Sequence, residues 1–204
     1  MRKCWNEEGT VLRIACVLAA HEIGDSLADV VVFPEGVDGR EIKKARIDHD
    51  RAAIVGAVAD NGGCRAVLLH QMRNQVDYMK VGTDGRTRGT GRLPSLPVYE
   101  FGDTCIGVLI CMDIQNGALF QAVIRKLKES AAAVKLLCIP GDMTRDWFSD
   151  DVLPPHYSGV SVALCNNTET HVIRCKSFIA DPAGRKVVVQ REAEPIHAEV
   201  SNSR

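Results

Sequence analysis

Three side chains in this chain of 204 residues have the types and settings to do chemistry together. Cys111 ends the apolar run Cys105 to Ile110 and is followed at once by Met112, Asp113 and a helix-like stretch. A thiol placed where a buried strand turns into a helix is rigidly held, partly presented to solvent, and close to backbone N–H groups that can receive negative charge. Glu35 follows a second apolar run, Val31-Val32-Phe33-Pro34, and Lys80 follows a third strand-like segment, Asp77-Tyr78-Met79. A cysteine thiol with a pKa near ~8.5 is only a few per cent ionised at neutral pH. An ammonium about 4 Å away, at an effective dielectric of about 20, is worth on the order of 4 kcal/mol. That is roughly three pKa units before desolvation opposes it. Lys80 would then either hold Cys111 ionised or stabilise an oxyanion after attack, with the N–H of Met112 as a second donor. Glu35 is the natural general base for the thiol and for a water, and the acid for a leaving group.

These residues need strands to bring them together, and the pattern supplies them. Strands are expected over 12–19, 29–34, 64–71, 75–80, 97–101, 104–111, 134–139, 159–165, 172–180 and 186–190. Helices are expected over 117–131 and over 40–60, where Ile42, Ala45, Ala52, Val55 and Val58 recur at helical spacing and Gly62-Gly63 closes the run. Residues 82–97, rich in Gly, Thr, Arg and Pro, read as the one extended loop. With 46% apolar and 25% charged residues the chain can bury a sizeable core as a single domain over 1–204. A formal charge of −1 offers no basic footprint for nucleic acid. The eight cysteines fall mostly inside apolar runs, which reads as reduced thiols in a soluble, cytoplasmic protein. The basic, apolar N-terminus is broken by Glu7, Glu8 and Arg13, so Ile14 to Ala20 reads as a buried strand and not a signal peptide. No segment approaches the roughly 20 apolar residues that span a bilayer.

The order of these motifs resembles the nitrilase superfamily of carbon–nitrogen hydrolases. The matching pieces are VVFPEG at 31–36, YMK at 78–80, Gly107 to Asp113 as Gly-x-x-Ile-Cys-x-Asp, Val160 to Asn167 as a buried strand ending in Asn, and Lys176 to Gly184 around Ser-x-Ile-x-Asp-Pro-x-Gly. The resemblance runs from about Ile14 to Val200. It implies a four-layer αββα sandwich of two mixed sheets, a Glu35–Lys80–Cys111 catalytic set and no cofactor or metal. It also implies a small amide, carbamoyl or nitrile substrate hydrolysed through a thioester, and a homodimer or higher homo-oligomer. Periodicity alone does not separate that sandwich from a doubly wound sheet. The chain departs from the family in lacking a second Glu soon after the lysine, with Glu100 the nearest Glu. It has Met112 and Gln115-Asn116 where an aromatic and Arg are common, and it is short between Trp147 and Val160.

Each residue also has a structural reading. Cys111 can be a small packing residue, Glu35 a helix cap and Lys80 a solvated hairpin lysine. Asp113 reads as the cap of the helix that follows. Trp147 and His156, with Phe148 and Tyr157, sit where substrate contacts or core cover are both consistent. Cys165, His171 and Cys175 fit no common zinc spacing and read as packing residues. Gly82 to Gly91 lacks the Lys-Ser/Thr of a phosphate loop. Two functions therefore stay open: an amidase-type hydrolase, with an acyltransferase as its variant, and a catalytically idle member serving as a binding or assembly module.

Overall fold

The computed structural model describes residues 11–23, 28–49, 51–60, 63–71, 73–81, 95–144, 148–167, 175–191 and 194–201. Twelve strands among them form two six-stranded mixed sheets. The first contains β1 (Val11–Cys16), β2 (Val30–Val37), β3 (Ala53–Asp60), β4 (Gly63–His70), β5 (Arg73–Met79) and β12 (Ile196–Ser201), in the order β12-β1-β2-β3-β4-β5. The second contains β6 (Val98–Phe101), β7 (Thr104–Val108), β8 (Val134–Gly141), β9 (Ser161–Asn166), β10 (Phe178–Ala180) and β11 (Lys186–Val189), in the order β11-β10-β9-β8-β7-β6. In each sheet three neighbouring strands run parallel, β1-β2-β3 and β7-β8-β9, and antiparallel strands flank them.

The sheets face each other through β1, β2 and β3 against β8 and β9. Helix α1 (Gly39–Asp48) covers the outside of the first sheet over β2 and β3, and α2 (Gly117–Glu129) covers the outside of the second over β6, β7 and β8. The result is the four-layer αββα sandwich. The central strands are buried on both faces, which is why Val30 to Phe33 is an unbroken apolar run. Val30 and Val32 belong to the core between the sheets, while Val31 and Phe33 pack outward beneath α1 with Ile42 and Ala45. Among the described residues no helix is long and apolar enough to cross a membrane.

The expected helix over 40–60 is a correction: it is α1 followed by β3. Ala52, Val55 and Val58 satisfy a helical period, yet a strand buried on both faces also lacks polar alternation, so spacing does not separate the two. Close packing does. A Cβ on Gly56 would stand 2.7 Å from Ile42 Cδ1, so β3 runs directly under α1 at a distance only glycine permits. Gly107 plays the same part under α2, where a Cβ would meet Val123 Cγ1 at 2.8 Å. Strand β12 lies beyond the last expected strand, its short pattern showing only Ile196 and Val200 fully buried. The strand expected over 172–180 is seen only as β10, and residues 171–174 lie outside the described set.

Candidate active site

Glu35 lies on β2 but not in its regular alternation. With Val31 and Phe33 turned outward, a regular strand would send Glu35 outward as well. The pairing of β2 with β3 shifts register on both sides of Glu35, and Gly36 takes φ 82°. The irregularity accommodates Pro34, which has no N–H for a ladder, and re-aims the carboxylate toward the side where Cys64 and Cys111 belong to the core between the sheets. There it meets Lys80, whose Nζ donates to Oε1 at 2.7 Å and Oε2 at 3.0 Å. The ammonium is fully buried and the carboxylate side chain only 7% exposed.

Lys80 leaves β5 with its backbone N–H on the Cys64 carbonyl at 2.8 Å. The next N–H, that of Val81, donates to both Asp113 carboxylate oxygens at 3.0 and 3.2 Å. One residue earlier on the buried face, the Tyr78 hydroxyl accepts the N–H of Ile110 at 2.6 Å and hydrogen-bonds the Asp113 carboxylate. The Lys80 segment and the Cys111 segment are thus clamped together through Tyr78 and Asp113. Asp113 therefore does not cap the following helix as its sequence position suggests. Asn116 does, accepting the Leu119 N–H at 3.2 Å.

Cys111 opens a 3-10 turn, Cys111–Gln115, and holds φ 46°, a left-handed conformation that among described non-glycine residues only Gln71 shares. A non-glycine residue in that region is strained by about 1–3 kcal/mol, and such strain persists where the surroundings over-determine it. The Glu35 carboxylate, the Lys80 ammonium and the backbone N–H of Asp142, just past the end of β8, act electrostatically on its sulfur. The residue is buried, not partly presented. Burial, followed by the Glu35 charge, pushes its thiol up to about 12, with Lys80 and the Asp142 N–H pulling the other way. This corrects the expectation that Lys80 holds Cys111 ionised. The ammonium sits on the carboxylate, so the sulfur faces an ion pair and not a bare cation, and desolvation wins.

Cys64, on β4, is a neighbour that no spacing pointed to. Its thiol also comes under the influence of Glu35 and of the Gly36 N–H, and it too is pushed up to about 12, chiefly by burial and then by Glu35. Met112 is half-buried against the core between the sheets, and its N–H belongs to the first turn after Cys111, where helical turns leave donors free. His156 is elsewhere. It lies on the short turn Pro155–Tyr157, with its ring on Phe120 of α2 and on Tyr157 and its carbonyl accepting Lys128 Nζ at 3.1 Å. Burial and then Lys128 lower its imidazole. Those contacts assign it to the outer helix layer. Trp147 lies outside the described residues. Phe148 and Tyr157 stack edge to face in the core, with Phe178 beyond. Cys165 packs on Cys16 and donates to the Val17 carbonyl, and Cys175 offers its carbonyl to Asn166, so the two are packing residues. Among the described residues no cluster of three His, Cys, Asp or Glu side chains could hold a metal ion.

No family model and no curated protein matches this chain. Solved structures do. The NitN amidase of Nesterenkonia sp. AN1 shares 18% identity over 94% of this chain and 93% of its own, with TM-score 0.67. A cysteine-to-alanine mutant of that amidase, described as of the nitrilase superfamily, shares 19% over 95% and 91%, with TM-score 0.66. A glutamate-to-glutamine mutant carrying the acetamide moiety of fluoroacetamide on its active-site cysteine shares 20% over 95% and 91%, with TM-score 0.70. Likeness at this identity establishes a common fold with nitrilase-superfamily amidases over nearly the whole chain.

Proposed function

We propose that this chain hydrolyses carbon–nitrogen bonds of small amides, carbamoyl compounds or nitriles, with Glu35, Lys80 and Cys111 as its catalytic set. The observation that carries the reading is a buried carboxylate with a fully buried ammonium 2.7 Å from it, both acting on the thiol of a strained, buried cysteine. Three charged or nucleophilic groups from three strand ends are expensive to bury, and structural packing alone gives no return for it. The solved amidases of the same fold act as support, since one of them is complexed with butyramide and another carries the acetamide moiety of fluoroacetamide on its active-site cysteine.

For an amide, Glu35 takes the Cys111 proton as the sulfur attacks the carbonyl carbon. The resulting oxyanion is held by Lys80 Nζ and the Met112 N–H. Collapse breaks the C–N bond, and Glu35 returns the proton to the leaving amine, leaving a thioester on Cys111. A water then attacks the thioester carbon with Glu35 as base, the C–S bond breaks, and the sulfur regains the proton as acid is released. The elevated thiol pKa suits this order: Cys111 rests protonated, and the proton moves only when a substrate is present to be attacked. Lys80 bridges both carboxylate oxygens at rest, so it is already in place to transfer its charge to the developing oxyanion.

The second reading, an idle module, draws on one observation: a buried thiol at about 12 also describes an inert core cysteine. Incubation with acetamide, butyramide, a carbamoyl compound and a small nitrile separates the two. The hydrolase reading expects ammonia release together with a Cys111 acyl adduct in intact-mass spectra. Neither product nor adduct across that panel would leave the idle module standing.

A further inference from the structure

Two backbone donors that the sheets leave over are taken by buried side chains, and each tie joins the lysine segment to the cysteine segment. Strand β5 is the edge of the first sheet, and along an edge strand the N–H groups alternate between the neighbouring strand and the outside. The Lys80 N–H donates inward to the Cys64 carbonyl at 2.8 Å, so the Val81 N–H points off the edge, where both Asp113 carboxylate oxygens accept it at 3.0 and 3.2 Å. The same alternation holds at the end of β7. The Val108 N–H donates to the Pro97 carbonyl at 2.9 Å and the Leu109 N–H to the Cys138 carbonyl at 3.0 Å, on opposite sides. The Ile110 N–H turns back to the β6 side, past the last β6–β7 pair, Val98 with Gly107, and there the Tyr78 hydroxyl accepts it at 2.6 Å. Both acceptors are buried, Tyr78 to 2% exposure and Asp113 to 0%. Residues 78 and 81 thus bracket Lys80, residues 110 and 113 bracket Cys111, and the ends of one bracket are bonded to the ends of the other.

Inside its bracket Cys111 holds φ 46°, and no turn type asks for it. Gln71, with φ 48°, lies in the tight turn between β4 and β5, where positive φ is ordinary. Cys111 instead follows a strand and opens a 3-10 turn, closed by the Asp113 N–H on the Ile110 carbonyl at 2.8 Å. A strained backbone of this kind persists where its surroundings over-determine it, and here the residues on both sides are fixed from the opposite sheet. We infer that Tyr78 and Asp113 are positioning residues, which hold Cys111 in that conformation and set it against Lys80. The inference rests on the hydrolase reading for its effect on turnover, but not for its effect on the backbone. Because both ties use backbone N–H groups, the cysteine on the second sheet and the amine on the first keep one register while the thiol, the ammonium and Glu35 stay free to react.

The test takes Tyr78→Phe, Asp113→Ala, Asp113→Asn and the double variant Tyr78→Phe/Asp113→Ala on the full chain, with urea unfolding to fix the folded fraction of each. For acetamide hydrolysis, kcat per folded molecule is expected to fall about tenfold to a hundredfold in Tyr78→Phe and in Asp113→Ala with KM nearly unchanged, since displacing a reacting group by ~1 Å can cost that much. Asp113→Asn keeps an oxygen for the Val81 N–H and should recover most of the loss. A merely structural role lowers stability and leaves kcat per folded molecule at the parent value, and that result would overturn the inference. A second readout needs no substrate. In a crystal structure of the double variant Cys111 should leave the positive-φ region, and a φ still near 46° would overturn the inference. Tyr78→Phe keeps its ring in the core and guards against a double variant that fails to fold: its Cys111 backbone should shift, and an unmoved Cys111 would equally refute the assignment. Parent turnover with an unmoved Cys111 would sink this inference alone. No turnover in the parent, with Cys111 released in the variants, would sink only the hydrolase reading.

Discussion

Replacing Lys80 by Met keeps the length and apolar stem of the side chain and removes the ammonium from a fully buried position. The ammonium is fully buried and donates to both oxygens of Glu35 at 2.7 and 3.0 Å. Removing one partner of such a pair leaves an uncompensated buried charge, which costs about 3–5 kcal/mol, whereas replacing both with apolar groups is often neutral or stabilising. A domain of this kind has roughly 5–15 kcal/mol in hand, so Lys80→Met should sit near the edge of folding. Glu35→Leu should be destabilised comparably, because it removes the carboxylate to which the buried ammonium donates twice. The double variant Glu35→Leu/Lys80→Met should return to within about 1 kcal/mol of the parent, or exceed it. Urea unfolding followed by circular dichroism at neutral pH gives all four corners of the cycle. Costs below about 1 kcal/mol for each single variant would mean that the pair is solvated like a surface salt bridge and the buried-site reasoning is wrong. A double variant as poor as the sum of the singles would show that the side chains matter by shape and not by charge.

Glu35→Gln keeps the volume but cannot shuttle a proton, so amide turnover should fall by roughly a hundredfold or more, read as ammonia release; a loss under about threefold would remove Glu35 from its role. Cys64 and Cys111 both rise from an ordinary 9.0 to about 12, so the unfolded chain releases these protons first. Their contribution to stability is whole below about pH 9 and is lost as pH rises toward 12, at about 1.4 kcal/mol per unit each. Urea titrations at about pH 8 and about pH 10 should therefore differ by about 3 kcal/mol from these two thiols, and a flat profile would show the sulfurs to be hydrated. Gly107→Ala places a Cβ 2.8 Å from Val123 and 3.1 Å from Leu127, so α2 must lift from β7 at a cost of about 1–3 kcal/mol, with no cost expected if the helix is loosely docked. Because no Glu soon after Lys80 matches the second Glu of the nitrilase superfamily, a thioester on Cys111 should accumulate with a good acyl donor. Rapid-quench mass spectrometry showing turnover without that adduct would point to another base.

What was legible in the sequence divides along a physical line. Glu35, Lys80 and Cys111 each follow an apolar run, and an apolar run that ends in a single polar residue marks a strand end whatever the fold around it. The sandwich was legible only through the order of those motifs, since a strand buried on both faces and a buried helix give the same pattern of apolar residues; Ala52 to Val58 was misread on that account and Gly56 under Ile42 decides it. Asp113 was misread because an Asp ahead of a helix is a generic cap, and only three-dimensional proximity shows that the Val81 N–H claims it first. Cys64 carries no local signal at all, since it comes under the influence of Glu35 from β4, with β3 between the two strands. The charge state of the nucleophile was the most instructive error. A pairwise argument between Lys80 and Cys111 predicts a thiolate, but the ammonium, the carboxylate and the thiol meet as three bodies in a site closed to solvent. There the lowest-energy arrangement is an ion pair beside a neutral thiol, with total charge zero. In the proposed reaction one proton crosses from sulfur to Glu35 while Lys80 shifts its charge toward the oxyanion, so net charge within the buried site would not change and no desolvation penalty would be added at the transition state.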